Sequence, residues 1–243
     1  MLKSYSEQRR VQLGEIGPGG TLKIPSLFNH LQGVTGAHSH SIGFGTADML
    51  KEGLTWIISR YRLSIEKMPR LFDHFTVQTW RSGESGNFAV REFLVTDDKS
   101  NILIRGTSSW MLLDFIKMKP LAPSQRYPGY PVYPERAIDD SFESMPVTGQ
   151  AAYEKEFTIR RNDLDINNHV NNSYYIAWIL ETGEDINEGL RPVDISINFR
   201  GEARYGDTVL SRVSYDGGPH RLIHSLTQKS TGKELTRGIT EWR

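Results

Sequence analysis

Cysteine is absent from all 243 residues. That one absence removes disulfides, thiolate metal sites and a cysteine nucleophile together, and it fits a reducing compartment. Long apolar runs are absent too: none approaches the roughly 18–20 residues that a helical membrane span needs. The first twenty residues, "MLKSYSEQRRVQLGEIGPGG", hold neither the apolar stretch nor the small-residue cleavage pattern of a secretion signal. Net charge is missing as well, with 29 Lys plus Arg against 29 Asp plus Glu. The balance argues neither for nor against a nucleic-acid partner, and none is expected. What is present rules out disorder: 37% of the residues are hydrophobic and 24% charged, enough for one large domain or two small ones around a sizeable core.

The chain is organised as one pattern met twice. In the first half a strand near Tyr5–Leu13 is followed by the turn "GPGG". A helix comes next, with Leu27, Leu31, Val34 and Ala37 at helical spacing and Ser26 as its expected cap after Pro25. Four strand-like runs follow, "LTWIISRYRLSIEK", "DHFTVQTWRS", "NFAVREFLVT" and "NILIRGTSSWMLLD", separated by turn-forming breaks. Residues 116–150 are proline-rich and without period, and they read as a linker over the surface. The second half repeats the order: the strand "AAYEKEFTIRR", a helix over "NNSYYIAWILETGEDI" capped by Asn171 or Asn172, then four more strands. "RGTSSW" (Arg105–Trp110) and "RGITEW" (Arg237–Trp242) share Arg, Gly and Trp at the same spacing, so an internal repeat of about half the chain is expected. A helix wrapped by an antiparallel sheet, present twice, is an α+β tandem double hotdog. Its expected parts are an N-terminal hotdog over 1–115, the linker 116–150 and a C-terminal hotdog over 151–243.

One stretch does not suit a core. "RRNDLDINNHVNNSYY" (Arg160–Tyr175) crowds acids, amides and one histidine just before the apolar "IAWIL". The corresponding place in the first half, "GPGGTLKIPS", has no acid, amide or histidine. Turn and cap chemistry accounts for some of these residues, since Asn and Asp form Asx turns and helix caps. Asp163, Asn171 and Asn172 fit that account. It does not account for a histidine set among amides. Histidine exchanges protons near neutral pH, and a carboxylate either orients it or serves as the base itself. An amide holds a water or a carbonyl oxygen, and the N–H groups at a helix start suit a developing oxyanion. Asp165, Asn167 and His169 together suit water-driven acyl transfer with no covalent cysteine step.

The same string, "RRNDLDINNHVNNSYYIAWILE", closely resembles the signature of the acyl-acyl carrier protein thioesterases, plastid and bacterial. The resemblance extends to "FGTADMLKEGLTWIISRYRLSIEKMPRLFD", "RGTSSWMLLD" and "INFRGEARYGD", and so to most of the chain outside the linker. It implies a double hotdog that hydrolyses the thioester between a fatty acyl chain and the phosphopantetheine arm of acyl carrier protein, with no cofactor or metal. It implies acyl-chain binding in the first hotdog. The catalytic residues it implies are Asp165, Asn167, His169 and, from the strand after the helix, Glu202. Some family members have a cysteine after that glutamate; Ala203 stands here, which excludes a thiol. Plastid members carry N-terminal extensions, so the expectation is the soluble bacterial form, in the cytoplasm, as a monomer or homodimer. Arg160, Arg161, Arg200 and Arg204 are candidate contacts for an acidic carrier protein, beside the plainer reading of surface arginines.

Strand alternation complicates Glu202. With Ile195, Ile197 and Phe199 on one face, Glu202 falls on the other with Asn198 and Arg200; Gly201 offers a bulge that would re-aim it. Other features are weaker. "HSH" (His38–His40) lacks a third ligand at metal spacing, and "GFGTAD" lacks the lysine and context of a phosphate loop. Trp56, Trp80, Trp110 and Trp242 read as core or sheet-face residues. Three function classes stay open on the residues alone: a carrier-protein thioesterase, a hotdog hydrolase or dehydratase acting on acyl-CoA, and a non-catalytic acyl-binding module.

Overall fold

Half-buried and exposed side chains alternate from Tyr5 to Arg10, and in the computed structural model, which describes residues 4–243, Ser4–Arg10 is strand β1. Two helices follow, α1 (Ile24–Ser41) and α2 (Thr46–Lys51). Then come β2 (Leu54–Ile65), β3 (His74–Ser85), β4 (Phe88–Asp97) and β5 (Ile102–Asp114). A short β6 (Lys119–Leu121) hairpins back on β5, and α3 (Pro123–Arg126) ends the regular structure of the first of two compact units, which closes at Phe142. The second unit runs from Glu143 and contains β7 (Tyr153–Thr158), α4 (Asn172–Glu184), β8 (Pro192–Phe199), β9 (Thr208–Tyr215), β10 (Arg221–Gln228) and β11 (Glu234–Trp242).

Within the first unit the strands are ordered β1-β3-β4-β5-β2, and within the second β7-β9-β10-β11-β8, antiparallel throughout. Counted from its own first strand, each unit has the order one, three, four, five, two. The core of each lies between helix and sheet. Helix α1 buries Leu27, Phe28, Leu31 and Val34, the three- and four-residue spacing that its sequence shows. Each such side chain contributes about 1.5–3 kcal/mol of burial free energy. Helix α4 buries Tyr175, Ile176, Trp178, Ile179 and Leu180, so apolar contact surrounds most of it.

The Arg-Gly-x-x-x-Trp repeat explains itself in packing. Trp110 Nε1 donates to Ser108 Oγ at 2.8 Å, and Trp242 Nε1 donates to Thr240 Oγ1 at 2.7 Å, the same two-residue step back along the strand. A Cβ at Gly106 would stand 2.7 Å from Leu63, and one at Gly238 would stand 3.2 Å from Ile179 of α4, so both glycines admit a close neighbour. These are strand features, as their sequence suggested.

One local expectation is corrected. Ser26 does not cap α1: the helix begins at Ile24, with Lys23 at the cap position and Pro25 in the first turn. Proline lacks an N–H and has its φ preset, so it fits a first turn and lets the helix start ahead of it. The stretch 116–150 divides between the two compact units. Through Phe142 it belongs with the first unit, held by Tyr133 N to Arg81 O (2.8 Å), Trp80 Nε1 to Glu135 O (2.8 Å) and Ala137 N to the buried Glu92 carboxylate (3.0 Å). Residues 143–150 group with the second.

Candidate active site

The polar stretch folds as a tight hairpin between β7 and α4. A 3-10 turn, Arg161–Asp163, opens it, and the buried Asp163 accepts from Arg160 N (2.8 Å) and Arg160 Nη2 (3.1 Å). Leu164 and Val170 then bridge antiparallel. Asp165 N donates to His169 O (2.7 Å), and Asn168 N donates to Asp165 O (3.1 Å). Asn168 turns the chain at φ 59°, a left-handed value that asparagine tolerates better than most residues. The Asp165 carboxylate holds the turn from inside, accepting Asn167 N at 2.8 Å and His169 N at 3.2 Å, with the Asn167 side-chain amide at 3.4 Å. Asp163 and Asp165 therefore both build the loop. Asn171 caps α4, accepting from Ser173 N at 3.0 Å, while Tyr174 N donates to Asn171 O; two first-turn amides are thus already engaged.

His169 Nδ1 lies 3.3 Å from Glu202 Oε2. The acid beside the imidazole is therefore Glu202; Asp165 meets the histidine only through its backbone. Glu202 is not on a strand, which corrects the expectation from alternation. Strand β8 ends at Phe199, and Arg200 N and Gly201 N both donate to Leu235 O (2.8 and 3.1 Å), so the period of two stops before Glu202. The loop is then tied at Ala203. Its carbonyl accepts Val170 N from the hairpin (3.1 Å), and its N–H donates to the Tyr175 hydroxyl of α4 (3.0 Å). Burial pushes the Tyr175 phenol well above its ordinary value, so it stays neutral and serves as the acceptor. Tyr175 went unassigned in the sequence, although it is the last residue of the polar stretch "RRNDLDINNHVNNSYY". The pair is accessible: the His169 side chain is 24% exposed and that of Glu202 62%.

The first unit builds the same hairpin without the chemistry. Gly17 N donates to Thr21 O, Gly20 N to Gly17 O, and Lys23 N to Glu15 O. These repeat the bonds of Asp165, Asn168 and Asn171 at a constant offset of 148 residues. Gly20, at φ 69°, stands where Asn168 stands. Leu22 N donates to Pro69 O as Val170 N does to Ala203 O, and Arg70 N meets the Asp73 carboxylate as Arg204 N meets that of Asp207. Gly17, Gly19, Thr21 and Met68 therefore occupy the places of Asp165, Asn167, His169 and Glu202.

The four candidate arginines differ. Arg160 pairs with Asp163, and Arg200 Nε with Glu234 at 2.7 Å. Arg161 stacks over Tyr205, 4.5 Å from the ring centre. Arg204 is exposed, and among the described residues its side chain makes no ion pair. His38 and His40 diverge: His40 is exposed, whereas His38 is buried with Nδ1 3.0 Å from Arg91 Nη1. A guanidinium only donates, so His38 Nδ1 accepts.

The sequence matches two family models, the acyl-ACP thioesterase N-terminal domain over residues 2–122 and the acyl-ACP thioesterase C-terminal domain over residues 148–243. A chloroplastic dodecanoyl-[acyl-carrier-protein] hydrolase of Umbellularia californica is 30% identical over 94% of this chain and 65% of its own length. The 12:0-ACP thioesterase structure from the same plant superposes with a TM-score of 0.87 at 28% identity, covering 100% of this chain and 98% of that one. An acyl-ACP thioesterase from Bacteroides thetaiotaomicron VPI-5482 has the same fold, with a TM-score of 0.88 at 22% identity over 99% and 98% of the two chains. The chain spans 60–65% of the length of three of the curated plant relatives it matches.

Proposed function

The chain belongs to the acyl-ACP thioesterase family, and from that premise we propose that it hydrolyses fatty acyl-acyl carrier protein thioesters to free fatty acid and holo carrier protein. The observation that carries the proposal is the pairing of His169, on the hairpin, with Glu202, on the loop after β8, where the first unit has Thr21 and Met68 instead. A glutamate carboxylate accepts from Nδ1–H, which leaves the Nε2 lone pair as the base. Nε2 takes a proton from water as the water oxygen attacks the thioester carbonyl carbon. Glu202 then stabilises the imidazolium, and the C–S bond breaks as the sulfur leaves and regains a proton. Asn167, exposed and only weakly held by Asp165, offers its amide to the water or the oxyanion. Asp165 keeps the hairpin in shape.

The acyl chain lodges in the first unit, in a cavity of about 220 Å³ walled in part by Phe44, Met49, Trp56 and Trp110. Arg161 and Arg204, which make no ion pair among the described residues, steer the acidic carrier protein more than Arg160 and Arg200, whose charges neighbours offset. We place the reaction in the cytoplasm, which the lack of cysteine fits. No described helix is long and apolar enough to cross a membrane. The test is hydrolysis of a chain-length series presented on both carrier protein and coenzyme A. Faster turnover on carrier protein supports the proposal, and preference for coenzyme A at every length contradicts it.

A further inference from the structure

Part of the wall of the first unit's cavity is not what an alkyl chain asks for. Among its lining residues, Gln32 Nε2, Thr35 Oγ1, Trp56 Nε1 and Arg81 Nε are shielded polar atoms with no hydrogen-bond partner among the described residues. Thr35 is 7% exposed and Arg81 4%. Folded proteins seldom leave one buried polar group so, and here four surround one space. Arg91, also 4% exposed, lines the same cavity. Its guanidinium meets His38 Nδ1 (3.0 Å), Thr79 Oγ1 (3.2 Å) and the Tyr130 hydroxyl (3.0 Å), and among the described residues no carboxylate pairs with it.

The sign of this surplus is informative. An indole N–H, an amide nitrogen and a guanidinium nitrogen can only donate, so what fills the cavity must bring acceptors. Nor does the fold impose polar residues there. At the 148-residue offset, Gln32 and Thr35 correspond to Leu180 and Gly183 of α4, where a Cβ on Gly183 would stand 2.6 Å from Trp242. At these two positions α4 carries no polar side chain, and the Trp242 and His224 rings close on Gly183 instead.

We infer that the cavity receives an acyl chain bearing an acceptor oxygen beyond the thioester, as a hydroxyl, oxo or carboxyl group, and that such oxygenated acyl thioesters are preferred to plain saturated ones. The inference rests on the thioesterase reading above and names the substrate class for it.

The experiment compares carrier-protein thioesters of equal length, plain or carrying a hydroxyl, oxo or terminal carboxyl group near the thioester, at mid-chain or at the end. Calorimetric binding of the corresponding free acids runs alongside. At least one oxygenated member should exceed its plain partner about tenfold in kcat/KM, the scale of one well-made hydrogen bond. Which member does so locates the oxygen. Trp56→Phe and Gln32→Leu should each narrow that ratio; the second places at position 32 the residue that α4 carries. Plain chains preferred in every pair, with the variants altering both members equally, would overturn the inference. If no thioester is hydrolysed at all, the thioesterase reading fails, and the binding data decide the inference alone. Tighter binding of an oxygenated acid, weakened by Gln32→Leu, upholds it; equal or weaker binding overturns it.

Discussion

The two carboxylates near His169 divide their work by position. Asp165 spends Oδ1 on two backbone N–H groups of its own turn, while among the described residues Glu202 is the acid that reaches the ring. The sequence showed which residues gather here, because a histidine among amides is poorly explained by caps. It did not show which acid faces the imidazole, since that depends on a loop more than thirty residues downstream. A second histidine shows the opposite fate. His224 is fully buried on β10, with Nε2 2.7 Å from Thr240 Oγ1, and burial pushes it down to about 3. Unfolded, a histidine titrates near 6.5. Between those values the unfolded chain binds a proton that the folded chain refuses. This contribution is whole above about pH 6.5 and is lost below it, by ~1.4 kcal/mol per pH unit. Phe93 faces Gly106 as His224 faces Gly238, so His224→Phe copies a solution the fold already uses. Denaturant titrations at pH 7 and pH 5 should show a stability loss on acidification about 2 kcal/mol smaller in the variant. An equal loss in both proteins would show that His224 is not the group responsible.

At the scale of elements, period and punctuation located nearly every strand and both long helices, because half-buried strands and core helices write their burial into the sequence. The departures lie where geometry stops being periodic. Lys23 replaced Ser26 as the cap because Pro25 tolerates the first turn. Strand β6 and helix α3 are too short to leave a pattern. Glu202 escaped alternation because the double acceptance at Leu235 O ends the strand first. The loop that carries Glu202 is anchored to α4 by the Tyr175 hydroxyl, so Tyr175→Phe leaves the buried Ala203 N–H without its acceptor. The variant should lose about 1–3 kcal/mol of stability. Because the slackened loop misplaces Glu202, kcat should fall more than KM rises. A melt lowered as expected with kcat unchanged would make Tyr175 a packing residue only.

On the scale of the whole molecule, a duplicated plan has diverged. The repeat was legible in Arg-Gly-x-x-x-Trp, and the asymmetry between "GPGGT" and "DINNH" marked the unit that keeps the polar hairpin. The cavity of the first unit was not legible, because its wall combines α1, α2, several strands and the segment after β6, which no local pattern links. Charge follows the same division between sum and place. With 29 residues of each sign the molecule has no overall field to attract an acidic partner, so steering must come from local groups. Arg161→Glu together with Arg204→Glu should lower kcat/KM on the carrier-protein substrate about tenfold or more at low salt and flatten its salt dependence. A small soluble thioester should be turned over at nearly the original rate. Equal losses on both substrates would assign these arginines to folding or chemistry.

The central claim is that the hairpin between β7 and α4 is a catalytic device and more than a helix entry. Turnover per folded molecule of His169→Ala on an acyl-carrier protein thioester, measured beside its thermal melt, tests this most directly. The account predicts a loss of about 10²–10⁴-fold in kcat, the usual worth of a general base, with the melt nearly unchanged. A variant that melts earlier but turns over at the original rate would contradict it.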